Sequence, residues 1–208
     1  MKLPDPPLLA ITDRRQARRP LVETAEALFA GGCRWLSLRE KDLPPEERAA
    51  VLRRLMALGR RFGATVGIHD DVLAAASADA LHLPEGGSIR EARARLGAIL
   101  VGVSAHDAAG LARAAADGAD YATLSPIFVS ASKPDYGPAL GLAALGAATR
   151  AAPLPVLALG GIDERTIVDA VAAGAAGVAV MGDLMRASDP KTTASRLIAA
   201  LRAALAAR

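Results

Sequence analysis

Three segments of this chain run from the end of an apolar helical pattern, through glycine, into a short apolar strand pattern. They are Ala30-Gly31-Gly32-Cys33-Arg34-Trp35, Asp117-Gly118-Ala119-Asp120-Tyr121-Ala122 and Ala173-Gly174-Ala175-Ala176-Gly177-Val178. Each puts glycine where a helix stops in the left-handed conformation. Gly31 and Gly118 lie 87 residues apart and Gly118 and Gly174 lie 56 apart, three and two steps of about 28 to 29. One βα unit recurring along the chain accounts for both spacings.

The strand patterns that fit this period are Leu8 to Thr12, Trp35 to Arg39, Thr65 to His69, Ala80 to Leu83, Ile99 to Ser104, Tyr121 to Ser125, Pro155 to Leu159 and Gly177 to Met181, with helical patterns between them. The first helix is expected around Val22 to Ala30. The second shows the logic most fully. Pro44 and Pro45 suit a first turn, Glu46 and Glu47 complement its dipole, and Leu52, Leu55, Met56, Gly59 and Phe62 form one apolar stripe. Eight units in 208 residues leave 26 residues each. The predicted fold is therefore α/β, a (β/α)8 barrel of minimal length, with residues 1–208 forming a single domain. A doubly wound sheet is the minority reading, because it uses fewer strands. At the end of the chain, Ala194, Leu197, Ile198, Leu201 and Leu205 share one face of a helix over 192–206 that closes the barrel.

Composition narrows the function. Aromatic residues make up 3% of the chain, too few to stack successive bases, and the net charge of +3 comes from scattered arginines, so nucleic acid is not an expected partner. The uncharged stretch Ala170 to Gly182 has 13 residues against the roughly 20 that a membrane span needs, so no membrane association is expected. The N-terminal segment lacks the apolar core of a secretory signal, and the one cysteine, Cys33, cannot form an internal disulfide; a cytoplasmic location is expected. Exposed barrel helices leave a homodimer open.

In such a barrel the chemistry belongs at the carboxyl ends of the strands. Those ends carry Thr12-Asp13-Arg14, Arg39-Glu40-Lys41-Asp42, His69-Asp70-Asp71, Ser104-Ala105-His106, and Ser125 with the loop through Ser130, Ser132 and Lys133. The chain has 4 lysines among its 25 basic residues, and two of them, Lys41 and Lys133, fall at these ends. A compact ammonium suits a fixed anion there. After the seventh and eighth strands come Leu159-Gly160-Gly161-Ile162-Asp163 and Met181-Gly182-Asp183-Leu184. Glycines bring bare N–H groups close to a ligand and the following helices direct positive dipole ends at it, so a phosphomonoester is the expected guest. The plainer reading is a pair of tight βα turns.

Taken in order, Leu38-Arg39-Glu40-Lys41-Asp42, His82-Leu83-Pro84, Gly102-Val103-Ser104-Ala105-His106, Gly118-Ala119-Asp120-Tyr121, Ser125-Pro126-Ile127-Phe128, Ser132-Lys133-Pro134 and Ala158-Leu159-Gly160-Gly161-Ile162 resemble the superfamily of thiamine phosphate synthase and thiazole tautomerase. The resemblance covers nearly the whole chain and implies an enzyme of thiamine biosynthesis that acts on a small-molecule thiazole phosphate.

The two branches imply different chemistry. A synthase joins hydroxymethylpyrimidine diphosphate to the thiazole phosphate and releases diphosphate, with Mg²⁺ and basic groups carrying the charge. By resemblance, Arg39 and Lys41 would hold the diphosphate and Asp70 would ligate the metal. This sequence departs from the synthase pattern at Ser37, where Gln is usual, at His69, where Asn is usual, and at Gly87, where a second metal-binding Asp is usual. Asp71 or Glu85 are the available substitutes. A tautomerase moves one proton on the carboxythiazole phosphate and needs no cofactor. By resemblance His106 is its acid/base, Ser132 and Lys133 hold the ring carboxylate, and Ser104, Ser130, Gly160, Gly161, Met181 and Gly182 complete the substrate site. An imidazole titrating near neutrality suits a proton shuttle. The segment His82-Leu83-Pro84-Glu85-Gly86 is tautomerase-like, and the isomerase is therefore the first expectation, the transferase the second, and a phosphate-binding sensor without turnover the third. Outside the site, His82 is expected to be a packed barrel residue, Cys33 packing, Trp35 a filler between barrel and helices, and Asp13 with Arg14 an ion pair or turn.

Overall fold

The computed structural model describes residues 2–130 and 138–208. Eight strands form one closed, all-parallel barrel in sequence order. They are β1 (Leu8–Ile11), β2 (Trp35–Leu38), β3 (Thr65–His69), β4 (Ala80–Leu83), β5 (Leu100–Ala105), β6 (Tyr121–Leu124), β7 (Val156–Leu159) and β8 (Gly177–Val180), and β1 pairs with β8 to complete the ring. The helices among the described residues are α1 (Leu21–Ala30), α2 (Pro45–Phe62), α3 (Val72–Ala75), α4 (Ile89–Leu96), α5 (Ala108–Ala116), α6 (Gly141–Ala151), α7 (Thr166–Ala172), α8 (Gly182–Met185) and α9 (Pro190–Ala206). This is the (β/α)8 barrel that the repeat predicted, with strand ends shifted by a residue. Two of the expected helices, α3 and α8, are single turns of four residues.

Strand alternation sorts the core into two parts. Outward-facing Leu36, Leu38, Val66, Ile68, Leu81, Val101, Val103 and Val178 pack with the helices in the main cluster. Inward-facing Leu9, Ile11, Trp35, Ala80, Leu100, Tyr121, Leu157 and Ala179 form a second cluster inside the barrel. Trp35 thus fills the barrel interior and does not lie between barrel and helices, because the alternation that sends Leu36 and Leu38 outward sends it inward. Its ring meets that of Tyr121 edge-on at 4.8 Å. Gly102 makes room for Tyr121: a Cβ there would lie 2.0 Å from the ring's Cζ.

The junction glycines differ in their reasons. Gly118 (φ 89) and Gly174 (φ 112) are left-handed as expected. Gly31 is not; its φ is −80, and the left-handed residue is Gly32, with φ 98. Gly31 is small because α9 passes close by, and a Cβ would sit 2.3 Å from the Lys191 carbonyl oxygen. In α2 the predicted stripe is buried except for Phe62, which is half-buried, and Leu58 joins it. The helix at the chain end starts two residues earlier than predicted, where Asp189 accepts from Thr192 N–H.

Candidate active site

Two residues further along β2 to β6, the inward positions turn polar. Trp35 is followed by Ser37, Gly67 by His69, Ala80 by His82, Gly102 by Ser104 and Tyr121 by Thr123. The barrel interior is therefore apolar at one end and polar towards the carboxyl ends of the strands, where a cavity of about 440 Å³ opens. His69, His82 and Ser104 form its floor, Arg39 and Lys41 one wall, Glu85, His106 and Ser125 a second, and Gly160, Gly161, Met181, Gly182 and Arg186 a third.

The floor is a hydrogen-bonded layer. His69 Nδ1 lies 2.8 Å from Ser37 Oγ. His82 Nδ1 lies 3.0 Å from the Tyr121 hydroxyl, and its Nε2 lies 3.0 Å from Ser104 Oγ. The two imidazoles stack with centroids 4.5 Å apart. Burial disfavours charge on both. It pushes His82 down to about 3, helped by the nearby cations of Lys41 and Arg39, and holds His69 well below its ordinary value, with His82 as the next cause. His82 is the packed, hydrogen-bonded barrel residue expected, while His69 belongs to the cavity.

His106, at the end of β5, is oriented by the main chain. Its Nδ1 is 2.7 Å from the Ser125 carbonyl oxygen, which can only accept, so Nδ1 carries a proton and donates it there. Nε2 lies 3.9 Å from Glu85, which also pairs with Arg113 at 3.2 Å. The helix that follows is fixed by Asp107, whose carboxylate accepts from Gly110 N–H at 2.6 Å.

Of the residues singled out from sequence, Arg39, Lys41, Ser104, His106, Ser130, Gly160, Gly161, Met181 and Gly182 line this one cavity. Asp70 stands at its edge in a left-handed conformation (φ 54), 3.5 Å from the Lys41 ammonium. Ser132 and Lys133 lie outside the described residues. Asp71 is occupied elsewhere: it caps α3 through Ala74 N–H and pairs with Arg48. Asp13 accepts from Arg15 N–H and Gln16, while Arg14 pairs with Glu40 and Asp42 rather than with its neighbour. Cys33 is buried, as expected.

The glycine turns need a correction. The helix after β7 begins only at Thr166, and Asp163 already accepts from the N–H groups of Arg165 and Thr166 at 2.8 and 2.9 Å, so the α7 terminus is taken. The helix after β8 has four residues, too few for a useful dipole. What remains is bare backbone. The N–H groups of Gly160 and Gly161 have no acceptor among the described residues, and Arg186 adds a cation. Close packing also demands these glycines, since a Cβ on Gly161 would lie 2.6 Å from Phe128 Cβ and from the Val129 carbonyl. Sequence reasoning missed Arg186 and Asp183, both of which line the cavity, because nothing in their spacing marks them. Burial, then the charge of Asp163, raises the pKa of Asp183 at this cavity wall.

A closed parallel barrel with one polar, cation-walled cavity at the carboxyl ends of its strands has the architecture of a (β/α)8 enzyme. The chain belongs to the thiamine monophosphate synthase family, whose model matches residues 8–184. It is 44% identical, over 93% of both chains, to a Geobacter sulfurreducens protein named "Putative thiamine-phosphate synthase". It is 37% identical to the thiamine-phosphate synthase of Methanoculleus marisnigri, covering 91% of this chain and 92% of that one. Among solved structures, thiamine phosphate pyrophosphorylase from Pyrococcus furiosus superposes with a TM-score of 0.86 at 26% identity, over 95% of this chain and 96% of the other. The protein is thus an enzyme of thiamine biosynthesis.

Proposed function

We propose that this enzyme is a thiamine-phosphate synthase, joining hydroxymethylpyrimidine diphosphate to a thiazole phosphate. The observation that carries the reading is the pairing, across one cavity, of a cationic wall (Arg39, Lys41) with an anion cradle (Gly160, Gly161, Arg186). A substrate pair with a diphosphate on one partner and a phosphomonoester on the other needs two separate anion sites. The names of the relatives agree with it. In the reaction the C–O bond between the pyrimidine methylene and the diphosphate breaks, its electron pair leaving with the diphosphate. The thiazole nitrogen then donates its lone pair to the methylene to form the new C–N bond. Arg39 and Lys41 stabilise the charge that gathers on the leaving oxygen, and the cradle holds the thiazole in line.

Mg²⁺ would neutralise diphosphate in such a reaction, and the donor set does not fit a resident ion. Asp70 stands at the cavity edge beside Lys41, Glu85 is turned to Arg113 and His106, Asp71 is engaged with α3 and Arg48, position 87 is glycine, and no group of three or more acidic, His or Cys residues among the described residues could hold a metal. Arg39 and Lys41 are the charges the chain itself supplies, and an ion arriving with the diphosphate would meet Asp70.

Incubating both substrates should give thiamine phosphate and diphosphate. Lys41→Ala should lower kcat/KM by about 10- to 100-fold, as expected for loss of a charge-assisted contact of about 1.5–3 kcal/mol. Absence of thiamine phosphate from active, folded protein sinks the reading.

One observation favours the second reading, a thiazole tautomerase: His106 lines the cavity with its ring oriented by the Nδ1–H bond to the Ser125 carbonyl, the fixed placement that a proton shuttle needs. Aromatisation of the carboxythiazole phosphate, followed by ultraviolet absorbance and lost in His106→Gln, would decide for it.

A further inference from the structure

Two of the positions at which this sequence departs from the synthase pattern, Ser37 and His69, touch each other at 2.8 Å on the cavity floor. The direction of that hydrogen bond can be worked out. Ser37 is buried, and His69 is its one side-chain partner among the described residues. If His69 donated, the serine proton would be buried without an acceptor, the costly arrangement. So Ser37 O–H donates to His69 Nδ1, which leaves the proton of the neutral ring on Nε2. Nε2 has no partner among the described residues and is not among the buried unpaired atoms, and His69 lines the cavity, so this N–H opens on it.

The neighbouring ring is fixed by the same logic. The buried Tyr121 hydroxyl has His82 Nδ1 as its one side-chain hydrogen-bond partner among the described residues and must donate to it. His82 then donates Nε2–H to Ser104 Oγ, and the Ser104 proton is free to face the cavity.

We propose that Ser37 makes His69 a specificity-determining donor, so that His69 Nε2–H, joined by the O–H of Ser104, gives the floor two donors that take a substrate ring by an acceptor atom. An amide at position 69 could turn to offer either a donor or an acceptor; an imidazole pinned by Ser37 cannot. The ligand class is a heteroaromatic ring with an unprotonated ring nitrogen or a carbonyl or carboxylate oxygen towards the floor. The inference rests on the cavity being the substrate site, not on which of the two reactions occurs there.

Side-chain nitrogen NMR of ¹⁵N-histidine-labelled protein tests the wiring without ligand: His69 and His82 should both carry the proton on Nε2. In Ser37→Ala, His69 should change to a mixture of tautomers while His82 stays as it was. Titration with hydroxymethylpyrimidine phosphate and with thiazole phosphate should then shift the His69 Nε2–H resonance for at least one probe. For that probe, His69→Phe, which preserves the stacked ring, should weaken binding about 3- to 10-fold, and His69→Asn should restore part of it. Nδ1–H tautomers, or binding of either probe with the His69 resonance unmoved and His69→Phe neutral, overturn the proposal while leaving the substrate site intact. Binding of neither probe overturns both.

Discussion

At the scale of single residues, the unusual feature is two uncharged imidazoles stacked inside a barrel. The folded protein keeps His82 neutral down to a pH of about 3 and His69 likewise to well below its ordinary range, whereas in the unfolded chain each takes up a proton near pH 6.5. Between those limits the unfolded state binds more protons, so stability is complete above about pH 6.5 and falls as the pH drops, by about 1.4 kcal/mol per pH unit for each histidine. Denaturant midpoints measured from pH 7 to pH 4.5 should decline accordingly, and His82→Gln should reduce the slope. Coincident midpoints across that range would mean that the rings are not held neutral. His69 also shows why sequence reading stops short at this scale. Its residue type announced a departure from the family pattern, but its partner lies 32 positions away on another strand, and no local rule joins the two.

Elements carry the next level of control. His106 is the last residue before the Asp107 cap of α5, so the cap sets the imidazole's position as well as the helix start. Asp107→Ala should cost about 1 kcal/mol of stability, and loosening the turn should reduce turnover more than substrate affinity; Asp107→Ser should recover most of both. Thermal melts and steady-state kinetics on the two variants check this. An unchanged kcat in a clearly destabilised Asp107→Ala would separate the cap from the site. The α7 terminus shows the converse. Its N–H groups serve Asp163, so the dipole expected for phosphate is spent within the chain, and the proposed anion cradle falls to the turn before the helix. Glycine spacing located that turn, but it could not say which groups the turn leaves unpaired.

For the molecule as a whole, the barrel is divided along its axis, with Trp35, Tyr121, Leu100 and Leu157 filling one end and polar side chains the other. Gly102 stands where these halves meet, and its hydrogen lies against the Tyr121 ring. Gly102→Ala should destabilise by about 1–3 kcal/mol through overpacking and, by tilting Tyr121 away from His82, weaken the floor as well; a denaturant titration with the histidine NMR spectrum reads both. Wild-type stability in this variant would show that the interior is looser than its packing implies. The architecture itself was legible in the chain, because a βα unit must bury one strand face and one helix stripe each time it recurs, and the recurrence leaves glycines at regular intervals. The cavity's membership was legible at Arg39, Lys41, Ser104 and His106, which fall at strand ends. Closure decided the rest. It brought Ser37 to His69, Tyr121 to His82 and Arg186 to the cavity wall beside Gly160 and Gly161, because contacts between residues distant in sequence follow from register around a ring and not from any spacing along the chain.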